Sequence, residues 1–511
     1  MPHVTKLSHF TDGMKSARLS IPQRAAIQMN PRFPLLPAIV ACLMGLSACS
    51  KPRELEPDVI LLHTGRLRGN VYPLSLQNIS PLQHYQYLGG YVKSVRETAA
   101  KSGSRVVLLD LGDSLGGSFA AHVTDSMNIV TFFNELGYDA VMLSNLDAEV
   151  SAKSLGGISA KVLNPFVDAN GLPTVPGTSA GVRLDVNKLP IDVLANFYGD
   201  TDPAANPGRF PASFGGVTEG VRPVRDYAPI LAALGTKPSG GLSLFAWMKF
   251  EQTDQPPEAF LKTLSDMKID AIAAHRIYGG KQREAWQASG FVDWKPPVSF
   301  NILRNNGGFV LARMDLKRDG AGWKVLRHEL VPMTANNAVA DASTVAEIEK
   351  FAPNIKAADA PLAVLEKAMG APEILALYMR ALTSIPDTQA VAYSPESIRS
   401  DWSAGELRAS GVFNSLPWTS GLVQISLDAS QLRQLPSVAG LHVLVGPGEG
   451  PFTVTTSRFF ASVICGKLSL PASAVTPLAQ SSEFDFFTAY LKINADSLNI
   501  EPPDGWELFQ P

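Results

Sequence analysis

Along the first third of the chain, short apolar runs ending in turn residues alternate with stretches whose apolar residues recur at helical spacing. "DVILLHT" at 58–64 is continuous in apolar residues and bounded by polar ones, the pattern of a strand buried on both faces. In "GGYVKSVRETAAKSG" Val92, Val95 and Ala99 share one helical face, and Gly103 stands where that helix would end. "RVVLLDLGD" predicts a second buried strand, with Gly112 and Asp113 at its C-terminal end. "SMNIVTFFNELG" predicts a helix closed by Gly137, and "YDAVMLSN" a third strand. Strands alternating with helices predict a layered α/β sheet whose functional groups gather at the strand C-terminal ends.

The pattern weakens over 151–240. Pro, Gly and Asn are scattered through "NPFVDANGLPTVPGTSAG" and "GDTDPAANPGRFPASFGG", with one strand-like island, "IDVLANF", so this region reads as a long surface excursion. Regular structure is predicted again for the strand "GLSLFAWMKF", the helix "PPEAFLKTLSDM" and the strands "IDAIAAH" and "FVLARMDL". A break at "VPMTANNAVADAS" precedes the helical stretch "STVAEIEKFAP", which reads as a connector. The resulting division is a first domain over 58–335, a linking helix over 336–356 and a smaller α/β domain over 357–511. A chain of 511 residues is too long for one small core, which agrees with two domains.

Charge changes the picture little. A formal net charge of −3 gives no basic excess, which argues against a nucleic-acid partner. The N-terminus is more informative. "MNPRFPLLPAIVACLMGLSACS" has a positive residue, an apolar run from Leu35 to Leu46 and small residues before a cysteine, the pattern of an export signal. The run is short for a membrane span. "LSAC" resembles the lipobox of bacterial lipoproteins, which implies that Cys49 becomes the lipidated first residue over a signal segment of 1–49 and ties the protein to a membrane at the cell envelope. Residues 1–28 are long for the leading part of such a signal, and Met29 is an alternative start. With Cys42 inside the apolar run and Cys49 lipidated, Cys465 is left alone, without an internal disulfide, and reads as packing.

Read in order, these pieces resemble the bacterial 5'-nucleotidase family, calcineurin-like metallophosphoesterases with a separate C-terminal substrate domain. "LLHTGRLRGN" is similar to the family's H-T-N-D-x-H-G-N opening. "LLDLGDSLGGS" is similar to L-x-D-x-G-D-x-x-x-G-S, and "LGYDAVMLSNLDAEV" to L-G-Y-D-A-x-x-x-G-N-H-E-F-D. "IDAIAAHRIYGG" looks like the strand that ends in G-H-x-H. In the second half, "SIRSDWSAGELRASGVFNSLPWTSGLVQISLDASQL" follows the pattern G-I-R, A-G-x-I, V-x-x-x-L-P-F-x-N and L-T-G-x-Q-L. The resemblance implies a two-metal phosphoesterase fold, in which two divalent cations activate a water and clamp a phosphate.

The positions that would hold those cations have changed. Arg66 and Arg68 stand where the family has aspartate and histidine, and residues two apart at an extended strand end share a side. Arginine is protonated and offers no lone pair. Each also repels a nearby divalent ion, by roughly 8 kcal/mol at ~4 Å for an effective dielectric of ~20. Asn145 is followed by Leu146 in place of histidine, and Trp247 and Met248 end the strand where another ligand histidine belongs. His275 is followed by Arg276 and Ile277. Asp113, Asn145 and His275 are thus the residual family positions; their bland readings are a turn aspartate capping backbone N–H groups and a satisfied strand-end histidine. In the second half Arg399 matches the family's ligand loop and Trp418 its base-stacking aromatic. Ser420 replaces an asparagine, and "SVICGKLSL" lacks the second aromatic.

The expectation is therefore a catalytically inactive envelope lipoprotein without metal cofactors, acting in ligand binding or scaffolding. Asp113 is expected to pair with Arg66 or Arg68 and close the metal site. Two alternatives stand beside it. One is an active phosphoesterase with a rebuilt site, a single metal on Asp113, Asn145 and His275. The other is a positive pocket of Arg66, Arg68 and Arg276 for a small anionic or nucleotide-like ligand, arginine forks being good receptors for phosphate and carboxylate.

Overall fold

The computed structural model describes residues 55–76, 84–144, 147, 150–198, 221–249, 264, 266–276, 298–302, 309–320, 322–417, 419–496 and 498–509. Residues 55–511 form one compact unit. Its first half is built on two sheets. One has the order β13 (Gly322–Pro332), β12 (Val310–Asp319), β1 (Val59–Thr64), β2 (Arg105–Asp110), β3 (Ala140–Met142) and β4 (Lys161–Leu163). Strands β1 to β4 run parallel, and β12 is antiparallel to β1. The other has the order β11 (Val298–Ile302), β10 (Ala271–Arg276), β9 (Leu242–Lys249), β7 (Leu189–Tyr198) and β6 (Gly181–Val186). A two-strand ribbon pairs β5 (Phe166–Val167) with β8 (Arg222–Pro223).

The two large sheets share one core. Leu61, Val107 and Val141 from the first meet Ile191, Val193, Leu244 and Ala273 from the second. The alternate residues of the second sheet, Leu194, Phe245, Trp247, Ile272 and Ala274, pack on its other face in a separate cluster. Burial of both faces explains why "LSLFAWM" is apolar without alternation.

This arrangement corrects the reading of 151–240 as a surface excursion. Strands β6 and β7 are integral to the second sheet, and Val193 and Leu194 are buried on opposite faces of it. Proline and glycine mark the turns around those strands rather than an absence of order. Most of the expected helix "PPEAFLKTLSDM" lies outside the described residues, as do 199–220.

The stretch read as a connector forms two helices, Ala342–Glu349 and Ala352–Ala358. The first is fastened to the helix Tyr85–Ser102: the Lys93 ammonium lies 2.7 Å from Asp341, and the Asp341 N–H donates to Gln86 O. The Asp341 side chain in turn caps its own helix at Thr344 N. Backbone approaches backbone closely here, since a Cβ on Gly90 would fall 1.7 Å from Val339 O. This connector is docked, and its place is set by packing.

The second half carries a sheet of order β20 (Val475–Ser482), β17 (Gly421–Leu427), β19 (Phe452–Ser457), β15 (Ala390–Tyr393), β18 (His442–Val445) and β21 (Glu507–Phe509), with a β14 (Pro361–Leu365) and β16 (Gly405–Arg408) ribbon beside it. Helices Ala371–Leu382, Arg458–Leu468 and Glu483–Ile493 contribute Leu375, Ile464 and Phe487 to its core. That core reaches into the first half through Tyr72, Leu76, Phe119 and Ala120. Phe119 and His122 lie against Phe413 and Phe484, with ring centroids 5.0–6.2 Å apart. His122 also reaches Asp485 across the same contact, at 3.5 Å. The architecture is the expected one, a layered α/β sandwich followed by a smaller α/β part. Among the described residues no helix is long and apolar enough to cross a membrane.

Candidate functional site

The C-terminal ends of β1 and β2 lie side by side, with Thr64 opposite Asp110. Beyond them the two loops stay zipped. Leu111 N–H donates to Thr64 O, Arg66 N–H to Gly112 O, Arg68 N–H to Asp113 O and Gly69 N–H to Ser114 O, all at 2.7–3.2 Å. These bonds hold three non-glycine residues in the left-handed region, Arg66 at φ 56°, Arg68 at φ 50° and Asp113 at φ 53°. Such a conformation costs roughly 1–2 kcal/mol for an ordinary L-residue, so the loop pairing and side-chain contacts must offset it.

The expected ion pair is present, and it is double. Arg66 Nε and Arg68 Nε each lie 3.2 Å from Asp113 Oδ2, with the carboxylate 3% exposed and the arginine side chains 19% and 36%. The route to this geometry differs from the predicted one. The segment is not extended, so strand alternation does not bring positions 66 and 68 to one side; the two left-handed turns do. Arg68 lays its aliphatic stem along Gly117, where a Cβ would meet its carbons at 3.5–3.7 Å.

The capping role that Asp113 could have played is carried by two aspartates that the sequence reading did not select. Asp110 accepts from Gly112 N, Thr64 Oγ1 and Ser114 Oγ at 2.8–2.9 Å. Asp147 accepts from Asp113 N, Ser144 N, Ser144 Oγ and Leu115 N at 2.8–3.0 Å. The signal for both was there: Asp110 is the first aspartate of "DLGD", and Asp147 follows Asn145 by two residues in "SNLDAEV".

Burial governs the protonation of this cluster. It pushes the Asp110 carboxyl up to about 7 against its three hydrogen bonds. It pushes Asp147 up to about 6, with the Asp113 charge adding to the effect. Burial raises Asp113 as well, and the Arg68 and Arg66 charges oppose it.

His275 is the last residue but one of β10 and is 1% exposed. Its ring lies beside Gly65, where a Cβ would come within 3.1–3.2 Å of Cγ and Nδ1. Burial, then the charges of Arg66 and Arg68, pull it down to about 3, so the imidazole is neutral. Among the described residues neither ring nitrogen has a hydrogen-bond partner. Trp247, one strand away, is buried in the outer cluster and offers no metal donor.

The second half holds another polar cluster that the sequence reading missed. Glu483, 3% exposed, accepts hydrogen bonds from Tyr378 OH at 3.0 Å, from Tyr393 OH and from Ser420 Oγ at 2.5 Å. It opens the helix Glu483–Ile493, whose N-terminal dipole favours a negative charge there. Arg399 is exposed on the loop after β15, its N–H donating to Ser415 O. Asn145, Leu146, Ile277, Trp418, Cys49 and the Arg276 side chain lie outside the described residues.

The donors among the described residues do not suit two divalent cations. Asp113 is taken by two guanidinium groups, Asp110 and Asp147 are turned onto backbone and hydroxyl donors, and His275 is a single imidazole. Among the described residues no group of three His, Cys, Asp or Glu is placed to hold a metal ion.

The fold is nonetheless that of solved 5'-nucleotidases. A 5'-nucleotidase precursor from Thermus thermophilus aligns with a TM-score of 0.55 at 15% identity, over 86% of this chain and 96% of that one. The 5'-nucleotidase of Candida albicans gives 0.56 at 11% identity, over 86% and 98%. The sulfate thiohydrolase SoxB of Thermus thermophilus gives 0.52 at 13% identity, over 89% and 99%. No family model matches the sequence, and no curated protein matches it. Such identities establish a shared fold; function is argued from the site.

Proposed function

We propose that this chain is an exported, lipid-anchored protein of the cell envelope that keeps the 5'-nucleotidase fold without its hydrolysis and acts by binding or scaffolding. The observation that carries this reading is the Arg66–Asp113–Arg68 cluster. A divalent ion at this strand end needs carboxylate and imidazole lone pairs. Here two permanent cations stand in its place and consume the carboxylate. A water nucleophile would have no Lewis acid to lower its pKa, and the described residues supply no substitute for the lost charge pattern.

Elemental analysis of the purified protein is expected to find less than one equivalent of Mn²⁺ or Zn²⁺ per chain. Assays with 5'-nucleotides and a generic phosphate monoester are expected to show no turnover above background. Stoichiometric metal, with turnover abolished by Asp113→Ala, would overturn the reading in favour of an active enzyme.

Anchoring rests on "LSAC" at the end of the apolar run. Cys49 is expected to be the mature N-terminus and to carry lipid, so the native protein should partition into detergent, and Cys49→Ser should abolish that. Intact mass beginning at another residue, without lipid, refutes the anchoring and leaves the catalytic reading untouched.

A further inference from the structure

Where the two halves of the fold meet, the first half contributes a histidine. His122 lies on the short helix Phe119–Val123, which is fastened to the first half through Ser118: its hydroxyl caps the helix at Ala121 N and donates to Gly69 O at 2.7 Å. The groups against the His122 ring come from the second half. Its centroid lies 5.5 Å from that of Phe413 and 5.0 Å from that of Phe484, and Nε2 lies 3.5 Å from Asp485 Oδ1. A neutral imidazole gives this contact little beyond packing. An imidazolium gains a carboxylate and two aromatic rings within cation–π range, and histidine ordinarily makes that change in roughly the range pH 5–8.

The other charged groups on the elements packed around this helix stand or bond elsewhere. In the helix Glu483–Ile493, Glu483 accepts from Tyr378, Tyr393 and Ser420, and Lys492 lies in the last turn. The helix Ala409–Ser415 has no titratable side chain, and Arg408 before it pairs with Glu406. The helix Ala352–Ala358 carries Lys356, which is exposed, and Asp359 after it accepts from Ser410 N. The helix Met127–Leu136 carries Glu135, which accepts from Ser343 Oγ. Asp125, three residues after His122, accepts from Ser151 Oγ, and Tyr72, whose hydroxyl accepts from Ala120 N, is kept neutral by burial. Asp485 is the carboxylate that reaches the ring. The His122 bond and the Ser482 hydroxyl hold it below its ordinary range against the cost of burial, so it stays ionised while the imidazole titrates.

We infer that His122 and Asp485 form a pH-dependent clasp between the two halves, tightened when the imidazole takes up a proton. As pH falls through the imidazole's titration the contact gains an ion pair; as pH rises it keeps only its packing. The side chains are 22% and 47% exposed, so solvent screens the pair and the effect is modest and local. Its position gives it reach. Asp485 lies in the first turn of a helix whose opening residue, Glu483, is bonded into the core of the second half, so one helical turn joins that core to the first half. The clasp is independent of the catalytic reading.

The test is amide hydrogen exchange of the purified full-length protein at pH 5.5 and pH 8.0, corrected for the intrinsic rates. His122→Phe keeps a ring between Phe413 and Phe484 and removes the charge; Asp485→Asn keeps an acceptor for Ser482 and removes the other charge. Over residues 119–124 the unaltered protein is expected to be several-fold better protected than either variant at pH 5.5 and nearly equal to them at pH 8.0. Effects of pH on the whole fold appear in all three proteins and cancel in that ratio. His122→Phe/Asp485→Asn should lose no more protection than either single variant. A ratio that is the same at both pH values overturns the clasp, as does one that changes equally over 105–110, or losses that add in the double variant. Asp485→Asn alone carries the test if His122→Phe does not accumulate. Failure of both single variants to accumulate also overturns it, because a clasp between halves is dispensable for folding.

Discussion

Asp113→Asn is expected to lower the unfolding free energy by about 3–5 kcal/mol, while Arg68→Gln lowers it by about 1 kcal/mol. The asymmetry follows from geometry. Both guanidinium groups approach the same oxygen of one buried carboxylate. Removing its charge leaves two cations facing each other across a neutral amide, and Arg66, only 19% exposed, has little water to turn to. Removing Arg68 leaves Asp113 still paired with Arg66, and Arg68 at 36% exposure already shares its charge with solvent. Asparagine is the right probe because residue 113 has φ 53°, a conformation that Asn adopts about as readily as Asp. The backbone term is thus held nearly constant and the charge is isolated. Urea unfolding at neutral pH, with unchanged slope, provides the measurement. Equal losses in the two variants would show that the cluster does not behave as one carboxylate shared between two cations.

The sequence made the fold legible where one physical signal acted alone. The runs "VILLHT" and "RVVLLD" are apolar because β1 and β2 are covered on both faces, and they became the central parallel pair. The pattern failed over 151–240 because turn residues crowd around strands whose membership of the second sheet is decided by long-range pairing: β7 lies beside β9, about 50 residues further along. The site was legible in part for a similar reason. Set against the resemblance, an arginine at position 66 where the family pattern has aspartate is visible in the sequence, and so is the need of Asp113 for a partner. Asp110 and Asp147 escaped because their role is to accept from backbone N–H groups, and those groups exist at nearly every position of the sequence. Only the folded loops show which of them need an acceptor. For His275, nothing in "AAHR" says which groups the folded strands bring to its ring, and among the described residues none bonds to it.

The same three buried groups predict how stability responds to pH. For Asp110, raised from 3.8 to about 7, the folded state keeps a proton that the unfolded chain gives up between those values. Its contribution therefore falls as pH rises through that window, by up to roughly 4 kcal/mol for ~3 pK units at 1.36 kcal/mol each. Asp147, raised from 3.8 to about 6, acts with the same sign over a narrower window. His275, lowered from 6.5 to about 3, has the opposite sign: the unfolded chain binds a proton that the folded state refuses, so stability falls as pH drops below 6.5. The two opposed effects overlap, and the whole protein is expected to change less between pH 4.5 and 6.5 than either effect alone would require. Single substitutions should separate them. His275→Leu removes the acid-destabilising part, and relative to the unaltered protein it should gain on the order of 2 kcal/mol at pH 5 over its difference at pH 7.5. Asp110→Asn removes the acid-stabilising part and should lose about 3 kcal/mol in the same comparison. Because each variant also shifts stability by a constant, the slopes against pH carry the argument rather than the absolute values. Denaturant midpoints taken every half pH unit would show it, and parallel curves for the three proteins would mean that neither group titrates as its burial requires.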